Sequence, residues 1–217
     1  MNMQFLNEID AISTEIKEMY SLVIQNAQTA FDYYLSDTPY NDKLIIDDDK
    51  INAYERAIES LCMQILLKET VYSTDFRKVM GALKMVECLE RIGDNAFDVK
   101  WMADDIKKTK YPLPLKGMDE LISVVLSMLK DSFTALIKMD TKLAMEIMER
   151  DDIADKLYWK MCSDLAKEVD EKKIDGKKTV LEAHVYKYVE RIADQATNIS
   201  EWVIYIKSGF HKDRVII

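Results

Sequence analysis

Glu90-Arg91-Ile92-Gly93-Asp94-Asn95-Ala96-Phe97-Asp98 returns as Glu190-Arg191-Ile192-Ala193-Asp194-Gln195-Ala196-Thr197-Asn198, at an offset of 100 residues and without a gap. Glu, Arg, Ile, Asp and Ala recur at the same places, and Gly/Ala, Asn/Gln and Asp/Asn are matched in kind. Positions i, i+4 and i+8 of a helix share one face. Glu90, Asp94 and Asp98 therefore project together over about 12 Å of helix at ~1.5 Å per residue. Glu190, Asp194 and Asn198 do the same in the second copy.

The copying reaches further. Asp37-Thr38 and Asp140-Thr141 match at an offset of 103, as do Asp48-Asp49 with Asp151-Asp152 and Asn52 with Asp155. Apolar residues recur at helical spacing through nearly the whole chain. Helices are predicted over about 3–35, 39–68, 73–106, 115–139, 140–169 and 179–207. Asp37 or Thr38 with Pro39, Ser73-Thr74-Asp75, and Asp140-Thr141 supply start signals. Asp175-Gly176 turns the chain, and Gly209 suits a left-handed stop. Tyr111-Pro112-Leu113-Pro114 breaks the pattern between the copies, because a residue before proline disfavours the α conformation. The expected fold is all-α: two tandem three-helix bundles from an internal duplication, over residues 1–110 and 115–210, with a tail at 211–217.

Composition agrees. Only 5 Gly and 3 Pro occur in 217 residues, with 48% hydrophobic and 32% charged residues, so the chain has material for long helices and few turns. The net charge of −9 argues against non-specific nucleic-acid binding. No apolar run reaches the ~20 residues that span a bilayer, and the first residues lack a secretory pattern, so a cytoplasmic location is expected. Cys62, Cys88 and Cys162 form no Cys-x-x-Cys pair and read as small buried hydrophobes.

The second helix of each copy adds acids one turn apart: Asp48 with Asn52, and Asp151 with Asp155. If these face the stripes, each half gathers four or more oxygen ligands on neighbouring helices. Clustered carboxylates repel and settle by protonation, pairing or cation binding. Oxygen-only donors favour Mg²⁺, Ca²⁺ or Mn²⁺, and Fe and Zn also accept carboxylates. On the residues alone, cation binding and plain solvation both account for the stripes. Arg91 can pair with Glu87, whereas Arg191 has Lys187 at that position, so a role common to both arginines would be a carboxylate on another helix. His184 reads as a surface or partly buried side chain. The 13 methionines, Met145 among them, and Trp101, Trp159 and Trp202 read as packing residues. No Ser or Cys nucleophile lies near a His at a recognisable spacing, and neither a phosphate-binding glycine loop nor a Glu-x-x-His pair is present.

Glu90-Arg91-Ile92-Gly93-Asp94, Glu190-Arg191-Ile192-Ala193-Asp194 with Asn198, the upstream acid pairs and the segment Asp194 to Gly209 together resemble the PhoU family, over nearly the whole chain. The resemblance implies two tandem three-helix bundles and a cytoplasmic regulator that is membrane-peripheral only through its partners. Those partners would be a phosphate ABC transporter with its ATPase and a sensor histidine kinase, and the regulator would keep the phosphate-starvation response off when phosphate is plentiful. It also implies metal ions on Asp48, Glu90, Asp94 and Asp98 in the first half, and on Asp151, Asp155, Glu190, Asp194 and Asn198 in the second. A homodimer is compatible with it. Asn52 stands where the second half has an acid, Asn198 replaces the Asp98 type of ligand, and Ala193 replaces the motif glycine. Two other readings are a carboxylate-bridged metalloenzyme and a helical scaffold accessory to another phosphate transporter.

Overall fold

A computed structural model of the chain describes residues 3–40, 44, 46, 48–68, 73–108, 117–171, 174–211 and 214–215. Six helices account for most of them: α1 (Met3–Leu35), α2 (Asp48–Lys68), α3 (Ser73–Lys108), α4 (Met118–Lys138), α5 (Thr141–Asp170) and α6 (Gly176–Ser208). Helices α1, α2 and α3 pack on one another, as do α4, α5 and α6, so the duplicated three-helix bundle is present. The halves then meet face to face, α3 against α6 and α1 against α4, with α2 and α5 on the outside. One apolar core runs through both halves, from Ile12 and Phe31 on α1 to Ile199 and Val203 on α6.

Several ends follow the local chemistry of the chain. Asp140 caps α5, its carboxylate accepting from the Lys142 and Leu143 amides at 3.1 Å. Gly209 closes α6 at φ 84°, and its amide donates to the Tyr205 carbonyl. The proline break at 112–114 lies outside the described residues.

Two starts differ from expectation. α2 begins at Asp48, not at Pro39, and Asp37 and Thr38 cap no helix among the described residues. The Lys107 ammonium holds the Ser36 and Thr38 carbonyls at 2.6 and 3.0 Å, which fixes the segment ahead of Pro39 in a non-helical path. Asp48 and Asp49 then occupy the first turn of α2, where the helix dipole favours negative charge. α6 starts at Gly176 because Asp175 caps it, accepting from the Lys178 amide at 2.9 Å. The tail also contains structure that periodicity did not suggest: Phe210–His211 pairs antiparallel with Arg214–Val215.

The packing residues need sorting. Met128 is fully buried and Trp202 meets Tyr205 edge-on, as expected. Trp101, Trp159 and Met145 are exposed, at 55, 67 and 52%. Cys62 and Cys88 are buried and Cys162 is half-buried, all three as free thiols.

Buried polar contacts tie the halves together. Tyr20 on α1 meets Ser132 on α4 through their hydroxyls at 2.5 Å. Tyr34 on α1 donates to the fully buried Glu182 carboxylate on α6, which also faces Lys178 at 3.8 Å. Gly81 on α3 lies directly under Ile206 on α6, and a Cβ there would overlap that side chain. We expect Gly81→Leu to lower stability by about 1–3 kcal/mol, the usual cost of overpacking. Combined with Ile206→Ala, which empties the contested space, it should cost less than the two changes summed, as thermal or urea unfolding of the four proteins would show.

Candidate functional site

The stripe on α3 faces α2. Asp48 lies close enough to Glu90, Asp94 and Asp98 to raise the carboxyls of all three. Glu90 is pushed up to about 7 by burial first, then by Asp94, Glu55 and Asp48. Asp94 is also raised, by partial burial and by Asp48, while accepting a hydrogen bond from the Glu90 carboxyl lowers it. Asp48 accepts from the Asn52 amide at 3.2 Å through Oδ2, and its Oδ1 is buried with no hydrogen-bond partner among the described residues. Glu55 joins the cluster from α2, seven residues after Asp48 and so on the same helix face.

The second stripe faces α5 in the same register. Burial, then Glu190, Asp151 and Asp155, push Asp194 up to about 6. Burial raises Asp151 as well; the Thr197 hydroxyl lowers it and Asp155 raises it again. Asp155 itself is exposed. Glu190 is buried and answered within its own helix, with the Lys187 ammonium 2.7 and 2.6 Å from its two oxygens. Asn198 is half-buried on α6 and makes no hydrogen bond to the other stripe residues among the described residues.

The stripes are not separate features. Because α3 packs on α6, Arg91, Asp94, Asn95 and Asp98 share one cleft of about 380 Å³ with Arg191, Asp194 and Gln195. Six of these seven form three pairs at the offset of 100: Arg91/Arg191, Asp94/Asp194 and Asn95/Gln195. Asp98 reaches across to the other half. Partial burial raises it, and the Tyr188 hydroxyl and Arg191 guanidinium on α6 draw it back down. The Gln195 Oε1 is buried with no hydrogen-bond partner among the described residues, while the Asn95 amide donates to the Arg91 carbonyl at 2.7 Å.

The two arginines part company. Arg91 pairs with Glu87 at 2.5 Å on its own helix, so the common role on another helix does not hold for it. Arg191 acts toward Asp98 across the interface and lies 5.9 Å from the Tyr188 ring. His184 is exposed, with Nδ1 2.7 Å from the Val180 carbonyl.

As they stand, the carboxylates do not close around a point. Among the described residues no three His, Cys, Asp or Glu side chains converge closely enough to hold an ion. The arrangement is two facing pairs of acid-bearing helices, α2/α3 and α5/α6, joined along α3/α6. It supplies hard oxygen donors in excess of local cations. It offers no nucleophile–base pair among the described residues.

Comparison with known proteins agrees with this architecture. The family model described as the PhoU domain matches twice, over residues 16–100 and 118–203. A phosphate-specific transport system accessory protein PhoU homolog from Clostridium acetobutylicum is 27% identical over 213 residues, covering 96% of each chain. The phosphate-specific transport system accessory protein PhoU of Escherichia coli is 29% identical over 210 residues, covering 95% of this chain and 86% of that one. The crystal structure of PhoU from Pseudomonas aeruginosa superposes with a TM-score of 0.87 at 25% identity, over 95% of this chain and all of the other. With the domain matched in both halves and the same six-helix arrangement in a solved relative, the chain belongs to the PhoU family.

Proposed function

We propose that the chain is a cytoplasmic accessory regulator of phosphate-specific transport, a non-enzymatic adapter that binds cations on its carboxylate stripes. It acts between the ATPase of a phosphate ABC transporter and a sensor histidine kinase, and it keeps the phosphate-starvation response off when phosphate is abundant. Family membership and the names of the relatives support the phosphate-transport part. Among the described residues no helix is long and apolar enough to cross a membrane, consistent with a protein that reaches the membrane through partners.

The observation that carries the cation part is the opposed acids themselves. Burial holds Glu90, Asp94 and Asp194 toward their protonated forms, and neighbouring acids add to it: Asp94, Glu55 and Asp48 at Glu90, Asp48 and Asp98 at Asp94, and Glu190, Asp151 and Asp155 at Asp194. A divalent or trivalent cation removes that repulsion, and the buried, unpartnered Asp48 Oδ1 is a donor in need of one. The donor chemistry suits Mg²⁺, Ca²⁺ or Mn²⁺, and also Fe or Zn. Asp48, Glu90, Asp94 and Asp98 would hold the cation in the first half, and Asp151, Asp155, Glu190, Asp194 and Asn198 in the second. Carboxylates one turn apart on facing helices close on a shared ion by changing rotamer, and Lys187 would yield Glu190.

Protonation of these carboxyls has a thermodynamic signature. A glutamate titrates near 4.3 in the unfolded chain, and Glu90 near 7 in the folded one. Between those values the folded state binds more protons, so rising pH destabilises it. The penalty is absent below the unfolded value and complete above the folded one; Asp194 adds to it in the same direction up to about 6. In chelator, the urea midpoint should fall between pH 5 and 7.5. Glu90→Gln should flatten that fall, and an unchanged slope would show that Glu90 does not carry the repulsion.

Elemental analysis of protein purified without chelator or a metal-affinity tag should find stoichiometric metal. Glu190→Ala combined with Asp194→Ala should leave helicity intact, lower the metal content and release phosphate-starvation reporters in high phosphate. A folded, metal-depleted variant that still represses fully would remove cation binding from the regulation.

A further inference from the structure

The contact that closes one end of the interface between the halves is not repeated at the other. Tyr34 on α1 donates to Glu182 on α6, and the Lys178 ammonium faces the same carboxylate at 3.8 Å. The duplication puts Ile137 on α4 at the place of Tyr34, at the offset of 103. It puts Ala82 and Lys78 on α3 at the places of Glu182 and Lys178, at the offset of 100. The lysine recurs, while the carboxylate and the ring do not. Ala82 and Ile137 instead line a cavity of about 310 Å³. That volume lies within the range of small-molecule sites.

The lining has two parts. Ile9, Ile12 and Ile16 on α1, Met85 on α3, Leu136 on α4 and Ile206 on α6 make an apolar trough. Ile9 to Ile16 covers about 10 Å of helix at ~1.5 Å per residue. The charged groups of the lining, Lys17, Lys78 and Asp10, are exposed at its edge. Lys17 makes no ion pair among the described residues. Lys78 meets Asp75 at 3.1 Å in a pair three residues apart, with the lysine 47% exposed. Such a pair holds its lysine weakly. The second half has the same Asp-x-x-Lys spacing beside a further carboxylate: Asp175 takes the Lys178 amide, and the ammonium is left to Glu182.

We propose that this cavity binds a carboxylic acid with a medium-length alkyl chain. Such a ligand supplies the two groups that Glu182 and Tyr34 supply at the other end. Its carboxylate meets Lys78, with Lys17 beside it, and its chain lies in the trough between α1, α3 and α4. The site stands apart from the acidic stripes, since about 18 Å of α3 separates Ala82 from Asp94 at ~1.5 Å per residue. It therefore goes beyond the cation reading, and neither depends on the other.

The probe is decanoate, titrated calorimetrically into the purified chain, with decanol and decylammonium as controls. Saturable one-to-one binding of decanoate is expected, with a raised thermal midpoint. Decanol should bind about tenfold more weakly, for want of one charge-assisted hydrogen bond, and decylammonium not at all. Lys17→Gln with Lys78→Gln should bring decanoate down to the decanol affinity and leave decanol unchanged. Ala82→Glu with Ile137→Tyr, which writes the other end's pair into this one, should abolish binding of both. Circular dichroism shows whether each variant folds, and the lysine variant, altered only at exposed positions, decides the matter if the other does not. Absence of saturable decanoate binding would overturn the proposal. So would equal affinity for decanol, or an affinity for decanoate that the folded lysine variant leaves unchanged.

Discussion

Helices α3 and α6 carry apolar residues around much of their girth, because each closes the core of its own bundle and the core between the bundles. Buried positions on α3 run from Val79 to Ile106 and on α6 from Lys178 to Tyr205. What remains for solvent is a narrow strip, and along its edge stand Glu90, Asp94 and Asp98 on α3 and Glu190 and Asp194 on α6. Packing one central helix against the other thus decides two things together. It unites the halves, and it brings Asp94 and Asp194 to one cleft. Burial beside like charge then does the rest, holding Glu90 and Asp194 well above the usual carboxylate range.

Much of the fold was legible because the repeat supplies its own control. An Asp-Thr pair, an acid pair and the Glu-Arg-Ile block recur in fixed order, and the helices they bracket exist. Asp140 shows why capping chemistry reads well from sequence, since its contacts are to the next residues. Asp37-Thr38 shows the limit. Among the described residues the same dipeptide caps no helix in the first half, because Lys107, some seventy residues away, holds the carbonyls around it. Trp101 and Trp159 fail for a related reason: helical spacing says which face a residue occupies, and only the neighbouring helix says whether that face is covered.

In the site, the one-turn spacings of Asp48, Glu90, Asp94, Asp151 and Asp194 already fixed which side chains share a face, and α2 and α5 meet those faces. Glu55 was within reach of the same reasoning, seven residues along from Asp48. Lys187 against Glu190 was too, as an i,i+3 pair. Tyr188 and Arg191 against Asp98 were not, for they depend on how far α6 slides along α3. That offset is set by side-chain volumes across the interface and leaves no periodic trace in either helix.

Ile206, near the end of the second bundle, fills the space above Gly81, near the start of α3 in the first. A residue without a side chain in one half is thus matched to a branched one in the other. Descendants of a duplication are free to diverge as long as each keeps its own core. Here one half has become part of the other's interior. Recombining this first half with the second half of a distant relative would place an unrelated side chain over Gly81, so the pair evolves as one unit although it arose as two.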